Sequence, residues 1–199
     1  MKNHIFYIIV ALLITQLSGC ASTTYQLTDG EQEAKDNQQQ TELNQWQLTG
    51  KLGIKSDKKA QSINLLWQQQ GKNYQLRLNG PIGFGAATIS GDQQQAKIQQ
   101  GSHTFTGSPD QLGLRLLRVP LSVDAMSWWV KGLISPNHSP ASDIVLQDDG
   151  HLSSFQQNGW QLKFSGYHTN GPYTLPKKIS GRLGELSFKL VISSWNYSK

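Results

Sequence analysis

Cys20 is the one thiol in this 199-residue chain, and it stands directly after Leu17-Ser18-Gly19. Leu-[Ala/Ser]-[Gly/Ala]-Cys is the pattern of a bacterial lipobox. Its small residues give a peptidase access to the bond before the cysteine, whose thiol is then acylated. The preceding segment suits that role: Lys2 is followed by an apolar run from Ile5 to Ile14. Such a run is too short to span a bilayer, which takes roughly 20 residues, but fits a secretory leader. A single cysteine forms no intramolecular disulfide, and in an oxidising envelope a free thiol is a liability unless capped. The chemistry expected at Cys20 is therefore thioether lipidation. Ala21, where an aspartate tends to retain bacterial lipoproteins at the inner membrane, favours the outer membrane.

Other chemistry-bearing residues are sparse. His103, His138, His151 and His168 are scattered, and His4 lies in the leader. Neither a G-x-S-x-G elbow nor an H-E-x-x-H or phosphate-binding G-x-x-x-x-G-K-[ST] pattern occurs. No motif asks for a Ser/His/Asp set. The chain reads as a non-enzyme with no metal and no resident cofactor. The formal charge is +5, of which Lys2 leaves with the leader. This modest excess, with no dense Lys/Arg run, argues against nucleic acid and is compatible with an anionic membrane surface.

Three segments follow: a signal peptide over 1–19, a lipidated N-terminus and polar tether over 20–45, and a folded domain over 46–199. The tether ("DGEQEAKDNQQQTELNQ") has too little apolar surface to offset its ordering entropy. From Trp46 onward apolar residues alternate with polar ones at period two. Trp46, Leu48, Leu52 and Ile54 are followed by Ile63, Leu65 and Trp67, then Tyr74, Leu76 and Leu78. Trp160, Leu162 and Phe164 repeat the pattern, as do Leu186, Phe188, Leu190 and Ile192. Tight-turn signals separate these runs, which predicts an antiparallel sheet with one dry face.

The middle of the chain carries helix grammar. Ser108-Pro109-Asp110-Gln111 places a capping serine before proline, and the stripe Leu112, Leu116, Leu117 follows. After Pro120, Ser122 caps a second helix with Met126, Trp129 and Val130 on its dry face, ended by Gly132. The fold class expected from the pattern is mainly β: an antiparallel meander or barrel, a curved sheet curled round a short helical plug inserted mid-chain. Pattern alone favours an interior filled with side chains, with a cavity as the alternative.

One stretch resists a purely structural reading. "NGPIGFG", Asn79 to Gly85, sets Ile82 and Phe84 among turn-forming glycines and Pro81. Turns lie at the surface, so these apolar groups either probe an apolar environment or fold back onto the core.

Several pieces in order now resemble one family, the outer-membrane lipoprotein receptors LolB. They are the lipobox at Cys20, "WQLTGKLGI" from Trp46, "LLWQQ" from Leu65 and "YQLRLNGPIG" from Tyr74. "VPLSVDAMSWWVKG" from Val119, "GWQL" from Gly159, "LPKKI" from Leu175 and "VISSW" ending at Trp195 complete the set. The resemblance implies a half-open barrel with a helical lid over an apolar cavity, anchored by lipid to the periplasmic face of the outer membrane. It implies a receptor that accepts lipoproteins from a soluble carrier, LolA, by binding their acyl chains, and inserts them into the membrane without nucleotide. The loop Pro81, Ile82, Gly83, Phe84 becomes the membrane-insertion element, with Ile82 at its tip. Candidates for lining the cavity are the inward-phase residues Trp46, Leu48, Leu52, Trp67, Leu76, Leu78, Trp160 and Leu162, with Met126 and Trp129 from the lid. Each serves plain packing equally well. A monomer is expected. The rival readings are an anchored module for another apolar ligand such as a fatty acid or glycolipid, a structural lipoprotein, and, last, a lipid hydrolase.

Overall fold

The computed structural model describes residues 39–56, 59–80 and 85–197. Eleven antiparallel strands form one sheet in the order β6-β5-β4-β3-β2-β1-β13-β12-β9-β8-β7. The chain runs β1 (Gln45–Lys55), β2 (Ala60–Gln70), β3 (Asn73–Asn79), β4 (Ala86–Gly91), β5 (Ala96–Gln100) and β6 (His103–Gly107). Two helices follow, α1 (Pro109–Leu117) and α2 (Val123–Trp129). The second run of strands is β7 (Ser142–Leu146), β8 (Leu152–Gln157), β9 (Trp160–Ser165), β10 (His168–Asn170), β11 (Tyr173–Leu175), β12 (Lys178–Leu183) and β13 (Leu186–Tyr197). The edge strands β6 and β7 do not pair with each other, so the sheet curls without closing. This is the curved sheet with a mid-chain helical pair that the alternation and the caps predict, in the half-open form that the resemblance implies.

The alternation explains the curl. On β1, Trp46, Leu48, Leu52 and Ile54 are buried, and on β2, Ile63, Leu65 and Trp67. Side chains of one parity point to the concave face, so burying them bends the sheet around its contents. On β13 the parity breaks, since Ile192 and Trp195 are both buried. A register shift between Thr49 and Gly50 opposes Thr49 to Ser194 but Gly50 to Ile192. Ser193 is thus the extra residue of a β-bulge, which returns Trp195 to the dry side. Gly50 is required beside it: a Cβ there would meet the Val191 carbonyl oxygen at 2.6 Å.

The helices cap the concave face. Ser108 Oγ accepts from Gln111 N–H at 3.4 Å, and Ser122 Oγ from Ala125 N–H at 3.5 Å, as expected of N-caps. Helix α2 buries Val123, Ala125, Met126 and Trp129. Helix α1 is held more lightly: Leu117 is buried but Leu114 is half exposed. Its Arg115 guanidinium sits 3.9 Å over the Phe105 ring of β6, a cation–π contact worth roughly 0.5–1 kcal/mol at an exposed site.

The packed domain begins earlier than the expected boundary at Trp46. Residues 39–42 are helical, Gln40 and Leu43 are buried, and Gln40 Nε2 donates to the Thr174 carbonyl of β11. Leu43 supplies the apolar anchor that the polar composition around it conceals. The hairpin β10–β11, which carries no alternation long enough to read, is the surface on which this segment docks.

Candidate functional site

Two hollows lie side by side under the helices. The first is apolar. It is walled by the sheet through Leu52, Leu65, Trp67, Leu76, Leu78, Ile89 and Leu190, and roofed by Leu117, Leu121, Val123 and Met126. Only aliphatic and aromatic side chains line it, and its volume is about 40 Å³. A pocket that encloses a lipid-sized ligand runs to roughly 300–1,000 Å³, so the interior is closed in this state.

Among the sequence-derived cavity candidates, Leu52, Trp67, Leu76, Leu78 and Met126 line this pocket. Leu48 and Leu162 are buried elsewhere in the core. Trp129 and Trp160 have fastening roles: their indole N–H groups donate to Gln157 Oε1 at 2.9 Å and to the Pro120 carbonyl at 3.3 Å. Trp46 packs between Trp67 and Trp195, with centroids 5.1 and 5.2 Å away. Leu65, Ile89, Leu117, Leu121, Val123 and Leu190 line the apolar pocket as well, outside the sequence-derived set; β4, which carries Ile89, is too short for its alternation to assign a face. Cys20 and the loop Pro81, Ile82, Gly83, Phe84 fall outside the described residues.

Gln157 is the polar centre of the lid attachment and is 2% exposed. Its Oε1 accepts from Trp129 Nε1 and from Ser135 N–H at 3.1 Å. Its Nε2 donates to the Ser135 and Ser139 carbonyls, both at 2.8 Å. The amide thereby satisfies four contacts and ties α2 and the segment after it to β8.

The second hollow is a polar groove of about 660 Å³. Tyr74, Lys131, Asp92, Asp110 and Asp124 lie on its walls, with Ser122 and His138. Burial, and then the nearby Asp92, Asp110 and Asp124, push the Tyr74 hydroxyl up to about 12. Lys131 is 5% exposed. Its ammonium donates to the Leu43 carbonyl at 3.3 Å and lies 4.4 Å from the Trp128 ring centre. Among the described residues no carboxylate pairs with it. Desolvation lowers its pKa to about 8.

Lys131 makes a pH prediction. Between pH 8 and about 10 the folded chain has released this proton while the unfolded chain still holds it. Stability therefore rises with pH in that window, on the order of 2 kcal/mol. Above pH 10 the raised Tyr74 reverses the slope, because the unfolded tyrosine ionises first. Denaturant titrations at pH 7, 8, 9 and 10 should show the rise in the wild type and a flat profile in Lys131→Met.

The groove also brings a serine, a histidine and an aspartate together, which the sequence alone did not call for. His138 Nε2 is 3.3 Å from Ser122 Oγ, and its Nδ1 is 3.7 Å from Asp124 Oδ2. Nδ1 instead bonds Ser135 Oγ at 2.7 Å, while Ser122 Oγ serves as the cap of α2. The histidine bridges two serines and joins the ends of the lid segment; the carboxylate is too far to orient it as a catalytic base requires.

An unclosed antiparallel barrel, roofed by a short helical pair over an apolar interior, places the chain in the half-open β-barrel class of folds. A LolA superfamily protein from Nitrosomonas europaea superposes with a TM-score of 0.57 at 9% identity, covering 87% of this chain and 95% of its own. A DUF1329 family protein from Desulfovibrio piger gives 0.55 at 8% identity, over 85% and 92%. Within that class, residues 44–195 match the family model described as outer membrane lipoprotein LolB, and the chain belongs to this family. It is 35% identical to the outer-membrane lipoprotein LolB of Pseudomonas fluorescens, over 95% of each chain. It is 33% identical to that of Pseudomonas aeruginosa PAO1, over 98% of this chain and 97% of the relative. The chain is thus an outer-membrane lipoprotein of the lipoprotein-localisation system.

Proposed function

We propose that the domain receives lipoproteins from a LolA-type periplasmic carrier by taking their acyl chains into its apolar interior, then inserts them into the outer membrane. Cys20 carries the lipid anchor, and the loop Pro81, Ile82, Gly83, Phe84 meets the bilayer. The observation that carries this reading is the uniformly apolar pocket roofed by two helices of unequal attachment.

Acyl transfer follows from the energetics. Each buried CH2 contributes roughly 0.8 kcal/mol, so the chains stay shielded throughout, and an advantage of about 1.4 kcal/mol over the carrier gives tenfold direction. A downhill series of this kind uses no nucleotide. It does require a pocket larger than the closed one. Helix α2 is pinned by Gln157 and by four buried side chains, whereas the described side chains that hold α1 are Leu117, the partly buried Leu116 and the Arg115–Phe105 contact. The opening element is therefore α1.

Backbone hydrogen exchange tests this reading. Adding a diacylated lipopeptide should raise exchange across 109–117 and leave 123–129 protected. Unchanged exchange in α1 on saturation, or opening of α2 in its place, would contradict it.

A further inference from the structure

The polar groove is open and formed while the apolar pocket is shut, and the two are neighbours. Val123 lines both, and Trp46 of the groove packs on Trp67 of the pocket. One group on the groove wall lacks a partner, and a second keeps donors to spare. The Tyr74 hydroxyl, on a residue 7% exposed, has no hydrogen-bond partner. Lys131, equally buried, spends one ammonium hydrogen on a carbonyl. An unsatisfied buried polar group costs roughly 1–3 kcal/mol, a cost that a ligand seated in the groove would relieve at Tyr74.

We propose that this groove binds the polar head of an acylated cysteine, namely the glyceryl ester oxygens and the first peptide groups after it. The inference rests on the acyl-chain reading above and specifies what lies beside the chains. Lys131 Nζ and Tyr74 Oη donate to ester or peptide carbonyl oxygens. Asp92, Asp110 and Asp124 outnumber Lys72 and Lys131 along the walls, so the groove favours a cationic side chain a few residues downstream. His138, beside Asp124, and Ser122 complete the polar surface. The head docks in the ready groove, and the chains then enter as α1 lifts.

The test uses the full mature chain and three probes: palmitate, and diacylglyceryl-cysteinyl peptides continuing Ser-Lys-Lys or Ser-Glu-Glu. Affinities come from displacement of a fluorescent acyl probe. The lysine-tailed peptide should bind about tenfold tighter than the glutamate-tailed one, and Asp110→Asn with Asp124→Asn should bring that ratio close to one. Tyr74→Phe should weaken both lipopeptides several-fold while its melting temperature stays level or rises, because the orphan hydroxyl is gone. A purely structural tyrosine would show the reverse. Equal affinity for both tails, with palmitate still bound, would overturn the head-group site and leave the acyl reading standing. Failure of every probe, palmitate included, would overturn both.

Discussion

Gln157→Ala is expected to cost about 4 kcal/mol of stability, the largest loss from any single polar side chain in the domain. Truncation strands Trp129 Nε1, Ser135 N–H and the Ser135 carbonyl in a dry wall, and frees the Ser139 carbonyl at its wetter edge. Each such group costs roughly 1–3 kcal/mol unless water reaches it, and partial relaxation keeps the sum below simple addition. The glutamine at 161, exposed on β9, provides the control: Gln161→Ala should stay within about 0.5 kcal/mol. Urea unfolding of the two variants at pH 7 checks the contrast. The consequence for function is specific, since the tie holds α2 to β8. A melted α2 anchor would leave the roof loose at both helices, and the interior would bind apolar dye without any cargo.

The second large effect is expected at the loop. Ile82→Glu should leave folding and cargo reception intact and reduce delivery to liposomes by an order of magnitude or more. A carboxylate replacing an apolar tip turns favourable insertion into a desolvation cost of several kcal/mol, unless the group protonates. Reception is expected to be spared because Leu76 and Leu78 supply the pocket lining from β3, and Ile82 comes after that strand in the chain. The amide of Gly71, before the start of β3, bonds the Asn44 carbonyl, so Asn44 lies at the end of that strand away from Asn79. The strand itself is roughly 23 Å long. The tether spans 19 residues from Cys20 to residue 39 and can extend to roughly 60 Å, enough for anchor and loop to reach one membrane together. Normal delivery by Ile82→Glu would remove the loop from the mechanism.

Much of the architecture was legible because strand burial leaves a period-two trace. Trp46 to Ile54 and Trp160 to Phe164 read directly as half-buried strands, and the serine caps of both helices stand where the motifs put them. Trp195 was harder, since a bulge opposite Gly50 shifts its parity and no local pattern announces a bulge. The tether's end was placed too late because one leucine, Leu43, and one glutamine, Gln40, dock on a hairpin distant in sequence.

The site was less legible than the fold, for a physical reason. Inward-phase residues could be enumerated, but whether an inward tryptophan lines a pocket or fastens a helix depends on its hydrogen-bond partner. Trp129 and Trp160 find partners 28 and 40 residues away. The polar groove draws its wall from β3, the β4–β5 turn, both helix starts and the segment after α2, and such a convergence has no linear signature. Gln157 illustrates the same limit: in a glutamine-rich chain, nothing local separates the buried amide from its exposed neighbours.

Lipoproteins are expected to pass through the interior of this domain. The direct measurement mixes the domain lacking its anchor with a LolA-type carrier loaded with labelled lipoprotein, without nucleotide, and follows the label. Cargo should leave the carrier, co-purify with the domain and then pass to added liposomes. Cargo that stays on the carrier, while the domain is folded and its interior excludes an acyl probe, would contradict it.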